Sequence, residues 1–187
     1  MSTKISGKLT LFLIALAFFG PVAIAVYMYY SGQEVDLGAN KGALLEPIVN
    51  LDDALPESGL SEVAPGKWRL VYTNEATCDE TCRDALYTVR QSRKMLGREM
   101  DRVERIFLHG DSAPDTLFIN QEHAGLITFQ DGDLSQLLDN KRPEALPAGG
   151  FYLVDPLGNL VLYFEPGMNP KDMVSDIKRL LRISQIG

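Results

Sequence analysis

"LVYTNEATCDETCRDAL", Leu70 to Leu86, contains the only two cysteines of a 187-residue chain, Cys78 and Cys82. Extended back to Lys67, its first half reads "KWRLVYT", short, aromatic and β-branched, which predicts a buried strand. From about Asp79 to Leu96 the pattern turns helical. Leu86, Val89 and Leu96 fall on one side, Arg83, Arg90 and Lys94 lie elsewhere, and Gly97 stands where a helix ends. The thiols are therefore expected where a strand passes into a helix. At i and i+4 they share one helical face, about one turn apart.

Such a pair can be a redox couple, a metal clamp or a structural bridge. A helix N-terminus supplies unpaired N–H groups and positive potential, which favour a thiolate. Asp79 and Glu80 oppose it, because nearby carboxylates disfavour a further negative charge. A bridge closing so short a loop restricts the unfolded chain little. That weighs against a purely structural bridge and leaves redox and metal chemistry as the stronger readings.

Outward from this stretch, "VERIFLH" (Val103 to His109) predicts a second strand. Between Gly110 and Ala148, "DTLFIN" and "LITF" are short apolar patches. "DLSQLLD" reads as a small helix with Leu134, Leu137 and Leu138 turned inward. "GGFYLVDPLGNLVLYFEPG" predicts a β-hairpin, with Phe151–Val154 and Leu160–Phe164 flanking a turn that contains Pro156 and Gly158. A closing amphipathic helix starts with Asn169 as N-cap, Pro170 at N1 and Asp172 in the first turn. It carries Met173, Ile177, Leu180 and Leu181 as its apolar stripe.

At the other end, Leu9 to Tyr30 form an uncharged apolar run, long enough to cross a bilayer as a helix. "AIA" at Ala23 to Ala25 offers a signal-peptidase-like site, but the run continues to Tyr27, Tyr29 and Tyr30, which suit an interfacial belt. An uncleaved anchor at 9–30 is the expectation. Lys4 and Lys8 before it place residues 1–8 in the cytoplasm and the rest of the chain outside, in a bacterial inner membrane. In that oxidising setting two cysteines are free to pair. Residues 31–66, punctuated by glycines and prolines, are expected as an irregular tether, with the folded domain at 67–187.

The chain has a net charge of −7, and beyond the first thirty residues 16 basic face 25 acidic side chains. Such a balance disfavours nucleic acid as a partner. No Walker loop, dinucleotide glycine fingerprint, HExxH, GxSxG or second C-x-x-C is present.

The order strand, cysteine turn, helix, strand, mixed region, hairpin, helix is the thioredoxin-like layout, an α/β fold with a central sheet flanked by helices. With "GKWRLVYT…C-x3-C", "DRVERIFL" and "FYLVDPLGNLVLYF…NPKDMVSDIKRLLR", residues 66–183 resemble the Sco/SenC family. Those are membrane-anchored thioredoxin-like proteins that help assemble the copper site of cytochrome c oxidase. The resemblance implies that Cys78 and Cys82 bind copper together with a distant histidine, or exchange disulfides with client thiols such as those of an oxidase subunit. Two departures stand out. The family's prolines after each cysteine are Asp79 and Arg83 here, and Pro147 falls where the family's histidine belongs. A proline just before that strand suggests the cis-proline that faces the cysteines in thioredoxin-like redox proteins. Of the two histidines, His109 ends a predicted strand and is a candidate third copper ligand, and His123 sits in the polar stretch "NQEHAG". Cu(I) accepts two thiolates, optionally with an imidazole or thioether. Met168 reads as core or loop. The redox reading needs no cofactor.

Overall fold

Alternation along the strand at residues 68–74 organises the molecule. Leu70 and Tyr72 point to one side of a sheet and Val71 to the other, and all three are buried. In the computed structural model, which describes residues 7–31, 40–60, 62–184 and 186, this strand is β2 (Trp68–Asn74) of a six-stranded sheet. The others are β1 (Ala43–Asn50), β3 (Val103–His109), β4 (Ile127–Phe129), β5 (Phe151–Val154) and β6 (Asn159–Phe164), in the spatial order β1-β6-β5-β2-β3-β4. β2, β3 and β4 run parallel, and β5, β6 and β1 add antiparallel neighbours. The helices are α1 (Gly7–Ser31), α2 (Leu51–Ala54), α3 (Glu80–Met95), α4 (Thr116–Glu122), α5 (Gly132–Lys141) and α6 (Pro170–Ile183).

Each face of the sheet buries its own core. On one face, Leu70, Tyr72, Phe107, Leu153 and Phe164 pack with Leu86 and Val89 of α3 and Met173 and Ile177 of α6. On the other, Val71, Ile106, Leu108, Tyr152 and Tyr163 pack with Leu134 and Leu138 of α5 and Leu51 of α2. The predicted thioredoxin-like α/β arrangement is the observed one.

α3 and α6 follow their sequence signals closely. Asn169 caps α6 by accepting from the Lys171 N–H at 2.9 Å, and Pro170 begins it. The hairpin turn is held by Asp155, whose Oδ1 accepts from Leu157 at 2.9 Å and Asn159 at 2.8 Å. Gly158 takes φ 87°, which a side chain would resist.

Two expectations are revised. Residues 31–66 are not all tether, because the compact unit starts at Asn40 and includes β1 and α2. β1 escaped a strand reading because Pro47 interrupts it. Proline is tolerated on an edge strand, and the pairing with β6 shifts register between Leu44 and Val49. The start of this unit is fastened by Asp176 of α6, which is 3% exposed and accepts from the Lys41 and Gly42 N–H groups at 2.6 and 2.9 Å. "DTLFIN" is the second revision: it forms α4 rather than an unassigned patch, with Asp115 as N-cap.

α1 is a separate unit, long and apolar enough to cross a membrane, with none of Gly7–Ile24 buried. Its apolar side chains point in every direction, as a lipid-facing helix requires and an amphipathic surface helix does not. Residues 1–6 and 32–39, including Lys4 and most of the predicted junction after the anchor, lie outside the described residues.

Candidate functional site: the Cys78–Cys82 edge

The central strand β2 ends at Asn74, and residues 75–79 carry the chain into α3. Asp79 begins that helix as N-cap, its Oδ1 accepting from the Cys82 N–H at 3.0 Å. Cys82 therefore sits in the first helical turn. Cys78 lies just before the cap, outside the helix, so the pair does not share a helical face as expected. It bridges the helix and its entry loop. The two are joined by a disulfide, with Cα atoms 5.1 Å apart.

Their environments differ. Cys82 is 1% exposed and belongs to the core beneath α3, whereas Cys78 is half-buried at the rim. An incoming thiolate can reach only the outer sulfur. Beneath the pair lies Tyr72, stacked on Phe107 with ring centroids 5.7 Å apart. Burial, with the Asp79 carboxylate adding to it, pushes the Tyr72 phenol up to about 12. On the outer side, the Arg83 guanidinium lies 4.5 Å from the centroid of the Phe118 ring.

The loop is braced from β3. A Cβ on Gly110 would collide with the Glu75 carbonyl and lie 2.8 Å from its carboxylate, so only glycine lets the two chain segments meet there. This brace lies three residues before Cys78. Sequence reasoning missed it, since Gly110 reads as ordinary loop punctuation. The capping role of Asp79 was equally missed, although an Asp immediately before a helical run is a recognised start signal. Asp79→Ala is expected to cost about 1 kcal/mol through loss of the cap, and Asp79→Asn much less. Chemical denaturation of the two variants checks this.

Pro147 does not act as the expected cis-proline. Glu46–Pro47 is the only cis peptide among the described residues, so the bond before Pro147 is trans. Its carbonyl instead accepts from the Tyr163 hydroxyl at 2.5 Å, which anchors the loop ahead of β5. Ala148 and Gly149, which follow it, share a cleft of about 450 Å3 with Thr73, Asn74 and Glu75, at the carboxyl ends of the parallel strands where α/β folds bind ligands.

His109 ends β3 opposite Asn74 of β2, with its Nδ1 2.7 Å from the Gly110 carbonyl oxygen. His123 is no polar-loop residue. It is 2% exposed, packed edge-on against Phe118 at 4.9 Å. Burial, reinforced by Arg90 and Arg105, lowers its pKa to about 4. Among the described residues, no group of three or more His, Cys, Asp or Glu side chains is placed to hold a metal ion. The donor set for a resident copper is thus two sulfurs already joined to each other, with no imidazole gathered beside them. The site does not fit the three-ligand copper centre that the resemblance implies.

A central sheet, a cysteine pair at the strand–helix junction and a preceding apolar helix define a thioredoxin-like protein with a membrane-type anchor. The family model for the transmembrane-like, thioredoxin-like C-terminal domain matches residues 68–184, more than half of the chain, and the chain belongs to that family. No curated protein matches it as a relative. Among solved structures it is similar to yeast Sco1 (19% identity, TM-score 0.52, covering 66% of this chain and 85% of that one). It is also similar to yeast Sco1 with copper bound (18%, 0.51, 66% and 81%). Arabidopsis thaliana ScoI with copper bound is a third (16%, 0.50, 66% and 89%). At these identities the likeness is one of fold. It matches the Sco/SenC resemblance read from the sequence.

Proposed function

We propose that the protein is a membrane-anchored thiol–disulfide exchange protein acting through Cys78 and Cys82. The observation that carries this reading is the asymmetry of the pair: one half-buried sulfur at the rim, bonded to one fully buried sulfur under the helix N-terminus. In the reduced form the Cys78 thiolate attacks a client disulfide and forms a mixed disulfide, releasing one client thiolate. Cys82 then gives up its proton and attacks the Cys78 sulfur, releasing the second client thiolate and closing the Cys78–Cys82 bond. Two electrons pass to the client, and a second dithiol returns them to the pair. Run backwards, the same steps oxidise a client.

The Lys4 and Lys8 charges ahead of the anchor support a domain on the periplasmic side of a bacterial inner membrane. The Sco-like frame supports a client among the copper-site cysteines of a cytochrome c oxidase subunit, kept reduced for metal insertion. Electron exchange is preferred over a resident copper ion because, among the described residues, no group of three or more His, Cys, Asp or Glu side chains is placed to hold a metal with the thiols. Cys82→Ser is expected to accumulate a mixed disulfide between Cys78 and its client, and Cys78→Ser to accumulate none. Non-reducing electrophoresis of membranes from both variants checks this. Trapping through Cys82 alone would overturn the assignment.

A further inference from the structure

At the end of the domain away from the thiols, two neighbouring clefts flank the last turn of α6. The first, of about 600 Å3, is lined by Arg98, Arg102, Lys178 and Arg182, with Glu99 among them. The second, of about 230 Å3, is lined by the apolar Trp68, Leu157, Ile183 and Ile186. Ser184 belongs to both, so the cations and the apolar side chains adjoin. Trp68 opens β2, whose other end leads into the cysteine loop. At roughly 3.3 Å per residue, about 20 Å of strand separates this end from the thiol edge.

The four cations divide by role. Arg102 is committed to the protein: its Nη1 donates to Glu99 and to the Leu181 carbonyl, both at 2.9 Å. Its Nη2 donates to the Ser184 and Ile186 carbonyls, both at 3.0 Å, which fastens the segment after α6. Arg98, Lys178 and Arg182 are exposed, and among the described residues they have no hydrogen-bond or ion-pair partner. The apolar side chains beside them are exposed as well: Leu157 by 59%, Ile183 by 74% and Ile186 by 50%. Ile186 is held in that position, since its N–H donates to Ser184 Oγ at 3.3 Å while Arg102 grips its carbonyl. Adjoining aliphatic side chains fixed in water, rimmed by charge, mark a contact surface.

We infer that this end of the domain docks on an anionic bilayer surface, with Leu157, Ile183 and Ile186 entering the interface and Arg98, Lys178 and Arg182 on lipid phosphates. Exposed aliphatic side chains flanked by Lys and Arg are the pattern of interfacial binding, and each cation near an anionic surface adds attraction. The three unpaired cations complement lipid phosphates in charge. The chain also brings its own bilayer contact, because only residues 32–39 separate α1 from the folded unit. A client protein suits this end less well, since it must reach Cys78 beyond the other end of β2. Docking leaves the Cys78–Cys82 edge turned away from the lipid and open to clients. The inference rests on α1 as a membrane anchor and is independent of the thiol chemistry.

Trp68 is the only tryptophan of the chain and lines the apolar cleft, which makes it the reporter. The full-length protein is placed in phosphatidylcholine vesicles that contain a lipid with a nitroxide on its headgroup, with or without phosphatidylglycerol. Quenching of Trp68 fluorescence is then read. The domain is acidic as a whole, so without a docking face added negative lipid repels it, and the sign of the change decides. Quenching is expected to rise about twofold or more with phosphatidylglycerol and to lose that rise in high salt. The rise should also be lost in Arg98→Gln/Lys178→Gln/Arg182→Gln and in Leu157→Ser/Ile183→Ser. All five side chains are exposed, so both variants keep the fold. Flotation with phosphatidylcholine vesicles reports insertion of α1 on its own, and neither readout uses the thiols. Quenching that stays level or falls as phosphatidylglycerol is added, or that rises equally in both variants, overturns the inference. Trp68 emission that follows the protein-to-lipid ratio instead of lipid charge overturns it in favour of a second copy of the chain.

Discussion

Gly150→Ala is expected to destabilise the domain by about 4 kcal/mol, combining an overpacking cost of about 1–3 kcal/mol with the loss of two hydrogen bonds. Gly150 precedes β5, and a Cβ there would run into the Phe164 carbonyl oxygen of β6 and lie 2.5 Å from the Tyr163 hydroxyl. Neither obstacle is a flexible side-chain tip. Phe164 is fixed by the β5–β6 ladder, where it faces Phe151. The Tyr163 hydroxyl accepts from the Gly150 N–H at 3.0 Å and donates to Pro147. The substitution therefore pushes apart two strands and breaks both hydrogen bonds of one buried phenol. At roughly 2–4 °C per kcal/mol for a protein of this size, the midpoint should fall by about 10 °C, readable by circular dichroism. Gly149→Ala is the useful comparison. It has no neighbour within 4 Å but takes φ 86°, so only backbone strain should be felt.

Acidification should weaken the fold by a comparable amount through one side chain. The His123 pKa is lowered from 6.5 to about 4 because the ring is buried between cationic neighbours. The unfolded chain therefore binds a proton that the folded chain refuses between pH 6.5 and 4. Stability is fully present above pH 6.5 and is lost as pH falls towards 4, by about 3 kcal/mol. Carboxylates titrate over part of the same window, so the informative quantity is the difference from His123→Leu. That variant should show a flatter acid limb and little loss at neutral pH. Urea denaturation at several pH values, in phosphate-free buffer, measures it. Equal slopes would show that His123 is not the group responsible.

Sequence alone located the cysteine pair, the strand before it, the helix after it, the hairpin and the closing helix. Each of these elements carries its own local instruction. Asn169 and Pro170 start α6, Gly97 ends α3, and Pro156 and Gly158 bend the hairpin. What escaped depends on contacts distant in sequence. β1 exists because Ala43–Asn50 finds β6 more than a hundred residues away, with Pro47 disguising it as a loop. The burial of His123 depends on α4 folding against α3, which "NQEHAG" does not announce. Pro147 took the position of a ligand in the family's pattern, but its backbone was committed to Tyr163. The asymmetry between Cys78 and Cys82 also lay beyond the spacing. It arises because Asp79, between them, is the cap, leaving one cysteine outside the helix and one within it.

Whether the bridge is an exchanging pair or a static staple is decided by its redox equilibrium in the full-length, membrane-reconstituted protein. Structural disulfides hold potentials below about −300 mV, whereas accessible exchanging pairs lie above that. Equilibration with graded glutathione or dithiothreitol buffers, followed by alkylation and mass measurement, reads the fraction of protein with two free thiols. The predicted result is a reversible two-electron transition above about −300 mV, with the mixed-disulfide intermediate carried by Cys78. A bridge that stays closed through that range, or that opens only when the protein unfolds, would contradict a thiol-exchange function.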